Sequence, residues 1–439
     1  MAQYLLDLVY SLTNCMCCFP GSPQLRINHK SFKILRLLGE GGFSYVYLVS
    51  ETSTESLYAL KKIRCPFGQE SVSQAMKEVE AYTLFNPHPN IITSVDYSVQ
   101  ADKTDPGAKT VYILLPYYRR GNLQDMINAN LVNHTRFPER QLMVLLLGVC
   151  KALKAMHQYR VKRGAGGAES RGRAGRVRDE AERADDEAAA NRMQRRGRSR
   201  ERERDRDDED VEQEPLMEGE VTRAQEGVEE GAIRAYAHRD IKPGNIMIAD
   251  DGVTPILMDL GSLSPSPTPI TSRSLALAVQ DTAAEHSTMP YRAPELFDVK
   301  TGSVIDTKVD IWSLGCTLYA CLVGKSPFEA RSEETGGSLS LCVLGGDWRF
   351  PDDGKTRGGG KGKVGTATTT GGASQARGGA GGGGGGGGGE GGEWSDGVKD
   401  LIRRCLRVEP NERPDVDELI GMVEDVILSL GLGEDSSGE

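Results

Sequence analysis

The chain reads as an α+β fold in two lobes, β-rich first and α-helical second, interrupted by two disordered insertions. Three observations point there. Residues 32–49 alternate towards strand and Val111-Tyr112-Ile113-Leu114-Leu115 is a buried-strand run. From residue 139 onward the apolar-rich stretches are long enough for helices, beginning with Leu142 to His157. Residues 162–231 and 352–392 hold almost no large apolar side chains, so burial there cannot offset the entropy of ordering the chain.

Bulk properties narrow the function classes. At 439 residues with 38% hydrophobic content, the chain can hold one large domain with a real core. A formal charge of -10 argues against a generally basic nucleic-acid binder. No run approaches the roughly 18 apolar residues that a transmembrane helix needs. Nine cysteines, an odd number mostly scattered singly, fit reduced intracellular thiols better than a disulfide framework.

The densest chemistry lies in His238-Arg239-Asp240-Ile241-Lys242-Pro243-Gly244-Asn245. A carboxylate, an ammonium and a carboxamide follow one another at intervals of two and three residues. Phosphoryl transfer asks for those groups: one to face the attacking hydroxyl, one near the moving phosphate, one on magnesium. The stretch resembles the catalytic loop of protein kinases. That resemblance implies a bilobal protein kinase fold over 32–425, with a lobe at 32–115 and a second at 121–425. It also implies ATP and Mg²⁺ as cofactors and catalytic roles for Asp240, Lys242 and Asn245.

In chain order, Leu5, Leu8, Val9 and Leu12 form one apolar stripe at helical spacing, followed at once by Cys15, Cys17 and Cys18. Residues 1–14 contain no Lys or Arg, which argues against a signal peptide. A cysteine cluster beside an amphipathic segment suggests S-acylation of those three thiols. A packed helix with idle cysteines is the alternative, and a metal site is a third, lacking a second Cys or His pair. Ala2 excludes an N-myristoyl glycine. One acyl chain binds only marginally, so stable anchoring asks for two signals. Residues 21–30 read as a tether, making 1–30 a membrane-targeting segment.

Gly39-Glu40-Gly41-Gly42-Phe43-Ser44-Tyr45-Val46 resembles the kinase glycine-rich hairpin, whose backbone amides close over ATP phosphates. Lys61 follows fifteen residues after Val46, in Ala59-Leu60-Lys61, and is expected on the α/β-phosphates. Gly39, Gly41, Ser44, Val46 and Ala59 are expected around the nucleotide. Residues 71–85 are helical in pattern and should bring one carboxylate to Lys61, with Glu78 preferred and Glu80 its rival. By resemblance Leu115 guards the back of the pocket, and the Pro116 and Tyr118 backbones meet adenine.

The charged insertion at 162–231 leaves at the end of the long helix and returns before His238, so its two ends must be neighbours. Met258-Asp259-Leu260-Gly261 occupies the place of the magnesium-holding Asp-Phe-Gly segment, giving Asp259 and Asn245 as metal ligands. Ser264, Ser266, Thr268 and Thr271 are either phosphorylation sites or turn formers. Residues 275–284 look helical, and a helix at this point is a trait of the Numb-associated kinase family. Thr288 is expected to bridge Asp240 and Lys242, Glu295 to pair with Arg413, and Asp310 to bond the catalytic-loop backbone.

Lys242, with Pro243 and Asn245, marks serine/threonine specificity. The hinge, Tyr236-Ala237 before His238, and Met258 to Ser262 resemble the serine/threonine kinase 16 branch of that family. That branch has lipidated N-termini and works at Golgi and vacuolar membranes, and this N-terminus is most like its acylated, vacuolar form. The resemblance implies protein substrates with Ser/Thr acceptors, a membrane surface as partner, and the cytoplasmic face of an internal membrane, vacuolar or else Golgi. A kinase-fold scaffold would be expected to lack Lys61, Asp240 or Asp259, and all three are present. A tether acting through the charged insertion is the remaining alternative.

Overall fold

A computed structural model describes residues 25–41, 44–66, 69–101, 108–161, 232–351 and 394–434. Cys15, Cys17 and Cys18 and the insertions at 162–231 and 352–392 lie outside the described residues. The described residues fall into two units, one within 1–157 and 236–439 and the other within 158–235.

In the first unit, six antiparallel strands run β1 (Leu25–Ile27), β2 (Lys30–Glu40), β3 (Ser44–Glu51), β4 (Leu57–Cys65), β5 (Asp96–Ala101) and β6 (Lys109–Pro116), in spatial order β1-β2-β3-β4-β6-β5. Ile27, Phe32, Val49, Leu60 and Leu114 form the core of this lobe. β1 corrects the reading of residues 21–30 as a tether. Leu25 pairs with Phe32 and Ile27 with Lys30, and Ile27 is fully buried. Asn28 takes φ 51, a left-handed conformation that Asn tolerates, and so turns the chain in a tight hairpin without glycine. The sheet therefore starts at 25, not 32. A second difference lies in β2, where the ladder shifts register between Ile34 and Arg36 and again between Leu37 and Gly39. Leu35 and Leu37 are both exposed in this stretch, whereas Phe32 is buried and Ile34 half-buried. Helix α1 (Gln69–Leu84) packs on the sheet through Val72, Ala75, Val79, Ala81 and Tyr82.

The second lobe is helical. α2 (Leu123–Asn133), which the periodicity did not reveal, opens with a capping box: Asn122 takes the Asp125 amide and Asp125 takes the Asn122 amide. α3 (Glu139–His157) buries Leu142, Leu146, Val149, Leu153 and Met156 on one stripe. Gly148 lets it approach the catalytic region closely, since a Cβ there would come within 2.5 Å of Pro255. The short hairpin β7 (Ile246–Ile248) and β8 (Pro255–Leu257) follows the catalytic loop. α4 (Arg273–His286) starts on Ser272, whose side chain takes the Leu275 amide. It embraces the expected 275–284 helix. α5 (Lys308–Val323) is buried along nearly its whole length. α6 (Asp396–Cys405) and α7 (Val416–Glu434) close the lobe, and α7 packs on α3 and runs past the expected boundary at 425. Among the described residues, no helix is long and apolar enough to cross a membrane.

In the second unit, the described ends run antiparallel. Arg160 faces Ile233, the Val161 amide donates to the Ala232 carbonyl at 3.1 Å, and the Arg234 amide donates to the Tyr159 carbonyl at 2.7 Å. The two ends of the charged insertion are thus neighbours.

Candidate active site

The nucleotide side is built from three distant stretches. β4 carries Lys61 inward, opposite Ile113 on β6. Its ammonium donates to Glu78 on α1 at 2.6 Å and to Asp259 at 3.0 Å. Glu78 therefore partners Lys61, while Glu80 on the next face of α1 is exposed. Burial alone would lower the Lys61 pKa, but the Glu78 and Asp259 carboxylates outweigh it and hold the ammonium above its ordinary value. Burial would likewise raise Asp259, yet the Lys61 charge holds its carboxyl below the usual range. Lys61 and Asp259 thus stabilise each other's ionised forms.

Around this cluster, Ala59 pairs with Leu115, Val46 pairs with Gly39 and with Lys61, and β6 ends at Pro116, just before Tyr118. The Gly41 amide closes the hairpin on the Ser44 carbonyl at 2.8 Å. A Cβ on Gly39 would meet nothing within 4 Å, so the fold itself does not require glycine there. The space it leaves fits close approach of a phosphate to the backbone.

The catalytic loop gathers its groups within a few residues. Asp240 Oδ1 accepts from the Thr288 amide at 2.9 Å and its hydroxyl at 2.7 Å. Oδ2 accepts from Lys242 Nζ at 2.8 Å and Asn245 Nδ2 at 2.9 Å. Lys242 also donates to Thr288 Oγ1 at 2.6 Å, so Thr288 does bridge the two. Asn245 Nδ2 donates further to the Asp240 carbonyl, which leaves Oδ1 as the end a cation would take.

This loop is held from below. Arg239 adopts φ 68, a strained geometry for a large side chain. Asp310, fully buried on α5, accepts from the His238 amide and the Arg239 amide, each at 2.8 Å. His157, the last residue of α3, stands 2.9 Å from the same carboxylate. Burial would raise the Asp310 pKa, but His157 and the loop amides keep it below the ordinary value. His238 spans to the Met258 carbonyl at 3.0 Å, tying the loop to the segment that carries Asp259. Arg413, fully buried, donates to Glu295 at 2.6 and 2.8 Å and fixes the end of the activation segment.

Sequence reasoning missed His157, Tyr82 and the structural part of His238. His157 reads like any residue on the buried stripe of α3, and only its final position in the helix hinted at a polar role. Of the candidate modification sites, Ser266 is buried, and Thr268 Oγ1 lies 3.3 Å from an Arg239 guanidinium nitrogen. Thr271 is exposed.

The donor set offered to a cation is one carboxylate, Asp259, and one carboxamide, Asn245. Among the described residues, no group of three or more His, Cys, Asp or Glu is placed to hold a metal. So sparse a set fits a hard cation that completes its shell with phosphate oxygens and water.

Comparison with known proteins agrees with this geometry. Residues 32–162 and 226–423 match the protein kinase domain family. Serine/threonine-protein kinase ENV7 of Saccharomyces cerevisiae is 32% identical, over 96% of this chain and 100% of its own length. Serine/threonine-protein kinase ppk13 of Schizosaccharomyces pombe is 31% identical over 91% of each chain. Human serine/threonine-protein kinase 16 is 32% identical over 72% of this chain and 77% of its own.

Proposed function

The chain belongs to the protein kinase family, and from that premise we propose a serine/threonine protein kinase anchored to an internal membrane by S-acylation. The observation that carries the catalytic half is the joining of Lys61, Glu78 and Asp259 in one ion cluster, with Asp240, Lys242, Asn245 and Thr288 bonded together in a second. Magnesium-bound ATP supplies the phosphoryl group and much of the charge neutralisation. Lys61, fixed by Glu78, holds the nucleotide phosphates, and the Gly39 to Val46 hairpin covers them. Asn245 Oδ1 and Asp259 hold the cation. Asp240 accepts the hydrogen bond of the incoming Ser or Thr hydroxyl and aligns its oxygen for in-line attack. Lys242 sets a positive charge where the moving phosphoryl group becomes anionic. Thr288 keeps the Asp240 carboxylate from rotating away.

The membrane half rests on the cysteine cluster. All six cysteines among the described residues, Cys65, Cys150, Cys316, Cys321, Cys342 and Cys405, are buried. Burial pushes the Cys405 thiol up to about 12, which makes it a poor nucleophile. Acylation is therefore assigned to Cys15, Cys17 and Cys18, with the apolar stripe of residues 5–12 as second signal. By likeness to the kinase 16 branch of the Numb-associated group, we place the enzyme at the vacuolar or Golgi membrane, in the control of traffic or fusion.

One experiment tests both halves. Autophosphorylation with ATP and magnesium is measured beside localisation, for the parent, Asp240→Asn, and the Cys15/Cys17/Cys18→Ser triple variant. Loss of transfer in the first variant and a cytosolic but active second variant support the reading. A triple variant that stays on membranes overturns the acylation half, and a parent that transfers no phosphate overturns the catalytic half.

A further inference from the structure

Glu78 needs an orienting partner, because even a carboxylate whose side chain is only 10% exposed can leave Lys61 by a simple rotamer change. Tyr82 lies one helical turn beyond it, at i+4, where side chains share a face. Its ring is 2% exposed, and its hydroxyl donates to Glu78 Oε1 at 2.8 Å. That is the same oxygen that receives the Lys61 ammonium at 2.6 Å. A buried phenol must find a partner somewhere; this one has chosen the atom on which the nucleotide lysine depends.

The phenol also reaches the opposite wall. Here α1 packs against residues 260–262, next to Asp259 in sequence, and the Leu260 amide lies near the phenol. Gly261 completes the packing: a Cβ there would stand 3.4 Å from Glu78 Oε2 and 3.5 Å from Asp259 Oδ1. The phenol thus sits where α1 meets the segment that carries the cation ligand.

We propose that Tyr82 is a positioning residue for phosphoryl transfer, its hydroxyl locking Glu78 onto Lys61 where α1 meets the Asp259-Leu260-Gly261 segment. It touches neither nucleotide nor acceptor and acts through Glu78. The inference rests on the assignment of Lys61 and Glu78 to the nucleotide.

The test removes one oxygen and keeps the ring. Initial rates of autophosphorylation are measured against ATP–magnesium for the parent, Tyr82→Phe, Glu78→Gln, the double variant, and Lys61→Met. Tyr82→Phe is expected to lower kcat/KM for ATP about tenfold, as for a lost hydrogen bond to a charged group. In the Glu78→Gln background the same change should cost less than about twofold, because the partner it acts on is already impaired. A merely structural tyrosine would give equal losses in both backgrounds, and that result overturns the proposal. So does a Tyr82→Phe enzyme within about twofold of the parent while Lys61→Met is inactive. If Lys61→Met keeps its ATP dependence, the nucleotide assignment itself fails and the inference with it.

Discussion

Lys61 and Asp240 each stand at the centre of a charged cluster, and the two clusters are assembled by opposite means. The Lys61 cluster joins β4, α1 and the Asp259 segment, groups 17 and 198 residues apart, and nothing local in the chain forces them together. The Asp240 cluster is local: Lys242 is two residues away and Asn245 five, with Thr288 brought in from the activation segment. Beneath it Asp310 bonds two loop amides directly. The first cluster therefore depends on where a helix sits, whereas the second depends on one buried carboxylate.

The largest effect expected is at the centre of the local cluster. Asp240→Asn keeps the shape and hydrogen-bonding reach but removes the charge, and should lower kcat by about 10²–10⁴-fold. KM for ATP should hardly move, since Asp240 makes no contact with Lys61 or Glu78. A steady-state titration of ATP checks this, and a matched rise in KM would break the separation of the two clusters. Glu78→Gln is the counterpart. It should raise KM for ATP about ten- to a hundredfold, the cost of loosening one charged hydrogen bond.

The fold and site were legible in different degrees. The catalytic loop could be placed because its carboxylate, ammonium and carboxamide stand in one short run, and Lys61, Asp259 and the Glu295–Arg413 pair because the motifs around them resemble those of protein kinases. Glu78 could be preferred over Glu80 only by its distance from the next loop, and helix phase in the folded chain is what decides between them. β1 escaped because Asn28-His29 lacks the Gly that marks most tight hairpins. Tyr82 and His157 escaped because an aromatic or histidine on a buried helix face looks the same whether it fills space or holds a carboxylate. Their partners lie across the fold or one turn along the helix, beyond what a linear pattern states.

Stability should separate the clusters as well. Glu295→Ala leaves the fully buried Arg413 guanidinium without its carboxylate and should cost about 3–5 kcal/mol. Urea unfolding measures it. The pH dependence follows from the sign of the Asp310 shift. Its folded pKa is depressed, so its contribution is fully present above the unfolded value near 3.9 and is lost as pH falls through the folded value. The difference in unfolding free energy between the parent and Asp310→Asn should therefore shrink progressively as pH falls below about 4. Lys61 has the opposite sign: its raised pKa keeps its contribution intact until alkaline pH, above about 10.4.

The smallest effect sharpens the comparison most, because it uses one helix. α3 carries two contacts with carboxylates less than a turn apart: Lys154 with Asp417 at 2.7 Å, and His157 with Asp310 at 2.9 Å. The first pair is about half exposed on both sides, at 48% and 51%; the second is buried, at 4% and 0%. Water screens the first, so Lys154→Ala should change stability by less than about 1 kcal/mol and leave kcat untouched. His157→Ala removes a partner from a carboxylate that has no water to turn to, and that carboxylate carries the strained Arg239 backbone. It should cost several times more stability and also lower kcat. Urea unfolding and initial rates on both variants decide it. Equal losses would mean that distance, not burial, sets the worth of these pairs, and that the catalytic loop does not hang on Asp310.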